Sequence, residues 1–359
     1  MSFFCKAPWT SIAFQPSGKA GPCCVYDLDS LKEVTTPVEN TFAQEREDFL
    51  NGNLPAGCKK CHHSFQEIGK SYANSFDHYK VDTNKVAIQE INVKSNNICN
   101  LACRSCGTHF SSKWEEEFGT PILITKDNVI LEKLKLIDLQ TLQMVVIAGG
   151  EPTLTQEHVD TLQMLIDAKK TDVDIRISTN LTSLKYKQLD LVSLWKNFPK
   201  LYLQLSIDGV EDRAKNIRSG TDWDVVGNNL KTIINSGIPY YINITVSALN
   251  IWFLEETIMH LKTNFGVDKI SFNILFEPDI LSVQVIPPEY RKEINQMLDK
   301  CIESGHDLAK VKTYFNSTDN QHLWPHFLIY NLMLDHSRKE TFFDLLPIKR
   351  DLINRWVKL

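Results

Sequence analysis

The chain has 359 residues, 43% of them hydrophobic and 23% charged, and a formal net charge of -5. This composition is close to the globular average and excludes a disordered, collagen-like or coiled-coil chain; the length accommodates one large domain or two to three smaller ones. No apolar run reaches the length of a membrane span, and the N-terminus lacks the basic start and apolar stretch of a signal peptide, so a cytoplasmic protein is expected. A slightly acidic balance without long basic runs makes nucleic acid an unfavoured partner.

In chain order, residues 1–85 carry Cys5, Pro8-Trp9, Pro22-Cys23-Cys24 and Gly57-Cys58-Lys-Lys-Cys61-His62-His63. Turn residues separate short apolar stretches there, so this segment has little core of its own, and a metal centre would supply the missing stability. Between 86 and 285 short strand-like runs alternate with helical periods, the mark of repeated β-α units and a parallel sheet. Strands are expected at 86–93, 144–148, 174–178, 201–207, 240–246 and 269–276. Val159, Leu162, Leu165 and Ile166 have helical spacing and follow Thr155, a candidate N-cap. From 286, opening with Pro287-Pro288, the chain reads as a C-terminal helical region that includes Ile353 and Trp356; its Phe327, Tyr330, Phe342 and Phe343 fit core spacing. The expected domains are therefore 1–85, 86–285 and 286–359.

Alternate side chains of a strand point to opposite faces. One face of the expected sheet is apolar, with Ile175, Ile177, Leu201, Leu203, Leu205, Ile207, Ile242, Ile244, Val246, Ile270, Phe272 and Ile274. The other presents Arg176, Ser178, Asn180, Tyr202, Gln204, Ser206, Tyr241, Asn243, Thr245, Ser271 and Asn273, with Glu90 and Asn92 from the first strand. A closed eight-stranded barrel packs branched apolar side chains inside, so a polar interior predicts a cavity. An arginine that is buried must be paired, and either Glu90 or a substrate carboxylate would face Arg176. Gln204 and Asn243 are further candidate substrate contacts.

Eight of the nine cysteines fall in the first third of the chain. In a reducing compartment such clustered thiols read as metal ligands rather than disulfides. Cys301 stands apart in an expected helix and reads as a packing residue. Cys99-Asn-Leu-Ala-Cys103-Arg-Ser-Cys106 is C-x3-C-x2-C, a spacing that lets three thiolates of one loop converge on one inorganic centre. Zinc, with His109 as a fourth ligand, is the rival occupant. Gly149-Gly150-Glu151-Pro152, Ser178-Thr179-Asn180 and Ser206-Ile207-Asp208-Gly209 follow in order, each after an expected strand.

Together these motifs resemble the radical S-adenosylmethionine (SAM) superfamily, and the phrasing around Asn97, Ile98 and Trp114 resembles its twitch-domain-containing members. One departure is Ser105, where many members carry an aromatic just before the third cysteine. The resemblance implies a partial (β/α)6 TIM-type barrel. It also implies a [4Fe-4S] cluster on Cys99, Cys103 and Cys106 whose open iron chelates SAM, since three protein thiolates leave one corner of a cubane open. Reductive cleavage would then give a 5'-deoxyadenosyl radical that abstracts hydrogen from substrate, with an electron donor such as flavodoxin or ferredoxin. By the same resemblance Gly149, Gly150 and Glu151 would approach the methionine amino group. Ser178, Asn180, Ser206 and Asp208 are candidates for ribose or methionine contacts, with capping of the next helix as the structural alternative. Arg218 would pair with the methionine carboxylate, a task suited to a bidentate guanidinium, or else is an exposed helix charge. Thr245 and Val246 would line the adenine edge.

The N-terminal segment resembles the auxiliary-cluster modules of SPASM and twitch type, here placed before the barrel. Cys5, Cys58, Cys61 and one of Cys23 or Cys24 would hold a second [4Fe-4S] cluster. The fifth thiol would pack or serve as a hydrogen-atom donor. A zinc centre that includes His62 or His63 is the rival here. The resemblance implies an enzyme that oxidises, cross-links or epimerises a peptide, a protein or a small metabolite. The alternatives are modification of an RNA nucleotide, or a non-catalytic zinc or iron-sulfur scaffold.

Overall fold

The computed structural model describes residues 3–68, 71–94, 96–119 and 129–347; Ile353 and Trp356 lie outside the described residues. Its strands in chain order are β1 (Ser11–Phe14), β2 (Ala20–Gly21), β3 (Glu90–Lys94), β4 (Ala102–Cys103), β5 (Met144–Ala148) and β6 (Asp174–Thr179). They continue as β7 (Lys185–Tyr186), β8 (Leu189–Asp190), β9 (Leu201–Ser206), β10 (Arg218–Ser219), β11 (Tyr240–Val246) and β12 (Ile270–Ile274). The helices are α1 (Ala7–Thr10), α2 (Ala43–Leu50), α3 (Lys59–Ile68), α4 (Ser112–Phe118), α5 (Val129–Leu134) and α6 (Gln156–Asp167). Then follow α7 (Leu191–Trp195), α8 (Glu211–Ile217), α9 (Trp223–Ser236), α10 (Leu254–Phe265), α11 (Pro288–Glu303), α12 (Ala309–Ser317) and α13 (Trp324–Arg338). The fold is α/β with a predominantly parallel sheet. Among the described residues no helix is long and apolar enough to cross a membrane.

The chain divides into two compact units, one of Met1–Cys99, Thr108–Ser178 and Leu184–Leu203, the other of Asn100–Gly107, Thr179–Ser183 and Gln204–Leu359. In the first, β1 pairs antiparallel with β2 and parallel with β3, and β3-β5-β6 continue the parallel ladder. The N-terminal segment thus adds a strand that its turn-rich composition did not announce. The expected strand at 86–93 begins only at Glu90: Ala87 and Gln89 donate to the carbonyls of Trp9 and Thr10 at 3.1 and 2.7 Å, and α1 there offers no extended partner. Helix α6 starts as expected, Thr155 Oγ1 accepting from the His158 amide, and it buries Leu162 and Leu165.

In the second unit β11 runs parallel to β12, with Ile242 opposite Ile270 and Val246 opposite Ile274. The expected strand at 269–276 runs from Ile270 to Ile274, whose register partner Val246 is the last residue of β11; the Leu275 amide makes the final bond, to the Val246 carbonyl at 3.0 Å. Helix α9 is capped by the Asp222 side chain, which accepts from the amides of Asp224 and Val225, and it ends on Gly237 in left-handed conformation. Cys301 is buried on α11 beside Met297, a packing cysteine as expected.

The alternation of faces holds. Ile175, Ile177, Leu201, Leu203, Leu205, Ile207, Ile242, Ile244 and Val246 are all buried, whereas Ile270, Phe272 and Ile274 on the edge strand are only partly so. Of the polar set, Arg176 and Tyr202 are exposed and Glu90, Asn92 and Asn243 are buried.

Candidate functional site

The segment before Cys99 is shaped by hydrogen bonds inside the first unit. Asn96 Oδ1 accepts from the Ile98 amide at 3.0 Å, Asn97 Nδ2 donates to the Thr108 carbonyl at 2.9 Å, and the Cys99 amide donates to Ser112 Oγ at 3.2 Å. The turn after β5 presses on this segment: the Gly150 amide donates to the Asn96 carbonyl at 3.2 Å and the Glu151 amide to the Ile98 carbonyl at 2.7 Å. The two glycines are what allow it. Gly149 has φ +153°, and a Cβ on Gly150 would stand 2.3 Å from the Ile98 carbonyl oxygen. Glu151 is buried, and its Oε1 accepts from the Thr153 amide and hydroxyl at 3.1 and 2.7 Å, so its carboxylate caps the short turn that follows. Ser178, at the end of β6, is half-buried.

Cys103 and Cys106 lie in the second unit. Cys103 is opposite Arg218 in the antiparallel β4·β10 ladder, and the Cys106 amide donates to the Cys103 carbonyl at 3.0 Å. A hydrogen bond from the Cys106 thiol, with the Arg218 guanidinium adding to it against burial, brings the Cys103 thiol down to about 7. Arg218 donates to Asp208 Oδ2 at 2.7 Å, and Asp208 Oδ1 accepts the Thr245 amide at 2.7 Å. Burial alone would make this guanidinium less basic; Cys103 and then Asp208 outweigh it and raise its pKa. Arg218 is therefore a half-buried, paired charge rather than an exposed helix cation. Three candidates named from the sequence, Asp208, Arg218 and Thr245, meet beside two of the three loop thiols.

The other strand-end candidates divide. Asn180 Nδ2 donates to Asn100 Oδ1 at 3.1 Å, and its own Oδ1 accepts from Thr182 at 2.6 Å, so Asn180 holds the start of the thiol loop. Ser206 is half-buried at the end of β9. Val246 requires a correction: it has no exposure and points to the apolar face, opposite Thr245, because neighbouring residues of a strand cannot line the same wall. Gln204 Oε1 accepts from the Tyr241 hydroxyl at 2.6 Å, and Asn243 Oδ1 accepts from Asn273 at 2.8 Å. Glu90 accepts from the Tyr79 hydroxyl at 2.8 Å; burial raises its pKa against this bond and the Arg176 charge. Arg176 itself is exposed and so does not need an internal partner.

In the N-terminal segment Cys5, Cys23, Cys58 and Cys61 line one cavity with Phe3, Tyr26 and Phe76, whereas Cys24 is not among its walls. Cys24 interacts with the Tyr72 side chain instead. Gly57, just before Cys58, is required by the Tyr26 ring, which a Cβ would approach to 2.3 Å. None of these five cysteines is in a disulfide. Burial pushes the Cys5 and Cys58 thiols up to about 12 and raises Cys23, with the neighbouring thiols adding to the shift. Such sites become thiolates when a cationic core replaces their protons. Among the described residues no three Cys, His, Asp or Glu are grouped tightly enough to hold a single metal ion. His62, proposed for zinc, packs edge-on against Phe3 at 5.2 Å, and His109 lies against Phe110 at 4.9 Å.

The donor chemistry of both cysteine sets fits the groups expected at them, since soft thiolates suit iron-sulfur cores. The family model of the radical SAM superfamily matches residues 93–261. Among solved structures the chain is similar to anSMEcpe with bound AdoMet, at 19% identity and TM-score 0.45, over 63% of this chain and 60% of that one. It is similar to Streptococcus suis SuiB at 15% identity and TM-score 0.44, over 75% of this chain and 60% of that one. TYW1 with a lysine-pyruvate adduct is similar at 15% identity and TM-score 0.36, over 66% of this chain and 80% of that one. The chain thus spans 60% of the length of each of the first two. Comparison with curated proteins finds no match.

Proposed function

We propose that Cys99, Cys103 and Cys106 hold the [4Fe-4S] cluster of a radical SAM enzyme built on a partial (β/α)6 barrel, residues 86–285, between an N-terminal auxiliary module, residues 1–85, and a C-terminal helical extension, residues 286–359. Bound there, cluster and SAM supply reductive cleavage of the sulfonium and a 5'-deoxyadenosyl radical that takes hydrogen from substrate. The observation that carries this reading is the convergence of Asp208, Arg218 and the Thr245 amide beside Cys103 and Cys106.

In this reading Arg218 faces the methionine carboxylate, oriented by Asp208. Gly149, Gly150 and Glu151 approach the methionine amino group, while Ser178, Asn180, Ser206 and Thr245 border the nucleoside. A second [4Fe-4S] cluster sits on Cys5, Cys23, Cys58 and Cys61, a set supported by the shared cavity. Four thiols around one space suit a polynuclear core, which reaches ligands too far apart for one ion. Arg176, Glu90, Gln204 and Asn243 are the substrate contacts, the exposed guanidinium of Arg176 suiting a carboxylate. The substrate is a peptide, protein or small metabolite, and a flavodoxin or ferredoxin supplies the electron.

The test is anaerobic reconstitution with iron and sulfide followed by dithionite and SAM. About four irons should depend on the triad, with release of 5'-deoxyadenosine. Cluster-loaded protein that releases none overturns the reading.

A further inference from the structure

We propose that Arg104, between the second and third thiols of the loop, is a positioning residue that locks residues 102–106 onto α13 and the turn after it. The inference rests on the reading of the triad as a cluster site. Arg104 has no exposure. Its Nε donates to the Asn216 carbonyl at 2.7 Å, its Nη1 to the Asn331 carbonyl and Oδ1 at 3.2 Å each, and its Nη2 to Asp335 and, at 2.7 Å, to Glu340. The Phe342 ring lies 4.8 Å from the guanidinium carbon. Thus one loop side chain joins α8, α13 and the segment beyond α13.

The backbone is held by the same elements. The Arg104 amide donates to the Ile217 carbonyl at 2.9 Å, and its carbonyl accepts from the Tyr330 hydroxyl at 2.7 Å. Arg338 Nη1 donates to the Ala102 carbonyl at 2.8 Å, and Ser219 donates to Glu340. Stability alone does not call for this arrangement, because well-packed apolar side chains commonly replace a buried ion network without loss. What the planar fork adds is a fixed geometry that an ammonium or an alkyl chain cannot reproduce. Flanked by Cys103 and Cys106, that geometry sets the thiols before iron arrives, and ligands held by such outer contacts bind more tightly than ligands that must first be ordered. Tyr330, expected from its spacing only to pack, contributes its hydroxyl to this lock.

The experiment uses the full chain, reconstituted anaerobically with iron and sulfide, and follows iron release to a ferrous chelator. The phase absent from a C99A/C103A/C106A variant belongs to the triad. In Arg104→Met this phase should run about 10-fold or more faster, with altered g-values in the electron paramagnetic resonance spectrum of the reduced cluster. Arg104→Lys should fail to restore either. Tyr330→Phe removes one hydroxyl outside the guanidinium shell; it should speed release about 5-fold while leaving the circular dichroism spectrum unchanged, so it decides the matter if the Arg104 variants do not fold. Release at the unsubstituted rate in Tyr330→Phe, and in any folded Arg104→Met, overturns the lock while the cluster stands. Absence of any triad-dependent iron in the unsubstituted protein overturns the cluster reading, and the lock with it.

Discussion

The Arg218 guanidinium donates to Asp208 Oδ2 at 2.7 Å, and the backbone of the same arginine pairs with Cys103. One residue therefore links a strand-end carboxylate to the thiol loop. Because the Asp208 side chain is only 5% exposed and that of Arg218 17%, removing the carboxylate strands a largely desolvated cation. Asp208→Ala should cost about 3 kcal/mol in denaturant unfolding. Asp208→Asn, which keeps an acceptor for the Thr245 amide, should cost less. Equal losses for the two variants would show that charge pairing is not the stabilising element.

Gly150→Ala tests the close approach of two backbones. The added Cβ meets the Ile98 carbonyl oxygen at 2.3 Å, and carbonyl oxygen belongs to backbone that cannot swing away as a side-chain tip can. Residues 96–98 must shift, and Cys99 follows directly in sequence. The expected outcome is loss of most triad-dependent iron. Gly119→Ala, with nothing within 4 Å, should keep its iron and lose about 1 kcal/mol from its left-handed backbone. Full iron loading in Gly150→Ala would refute the argument.

His158 gives a pH dependence with a defined sign. It is buried, accepts from Trp195 Nε1 at 3.0 Å, and burial brings its pKa down to about 4. The imidazole is neutral in the fold and takes a proton on unfolding below its ordinary value of about 6.5. Stability from this residue is thus complete above about pH 6.5 and is lost as pH falls toward 4, by about 3 kcal/mol. His158→Gln retains an acceptor for Trp195, and its stability should fall less than that of the unsubstituted protein between those pH values. Parallel unfolding curves for the two proteins would remove His158 as the cause.

Glu90 has the opposite sign. Burial raises its pKa, with the Tyr79 bond and Arg176 working against the shift. The stabilising contribution is present below the ordinary carboxylate range and is lost as pH rises through the raised value. Glu90→Gln, still able to accept from Tyr79, should therefore melt higher than the unsubstituted protein at pH 8 and lose that advantage at pH 4. A lower melting temperature at pH 8 would mean that the Arg176 charge, rather than burial, governs this carboxyl.

Periodicity revealed much of this arrangement in the sequence. Alternating Ile175, Ile177, Leu203 and Leu205 located the buried face because a strand of period two has no other way to cover a core. The C-x3-C-x2-C spacing singled out the loop for a chemical reason. Long-range pairing carried no such signal. Nothing near Arg104 names Asn331, Asp335 and Glu340, more than 200 positions away. Strand β1 was hidden because Ser11–Phe14 is only four residues long and its partner β3 lies beyond the whole cysteine-bearing segment. Val246 was misplaced because a motif carried over by resemblance assigned neighbouring residues one role, where the pleat separates them.

The adjacent pair Cys23 and Cys24 allows the sharpest comparison. Cys23 is 9% exposed and shares a cavity with Cys5, Cys58 and Cys61; Cys24 is half-buried and interacts with Tyr72. Consecutive residues here point in different directions, so two substitutions of equal chemistry should have unequal effects. Cys23→Ala removes one of four thiols around the cavity and should lower bound iron and sulfide by about four atoms each, the content of one cubane. Cys24→Ala should leave both counts unchanged, because its thiol faces a tyrosine. Iron and sulfide analysis of the two reconstituted variants decides between them, and the reverse pattern, with Cys24→Ala alone losing a cluster, would assign the ligand role to the other thiol.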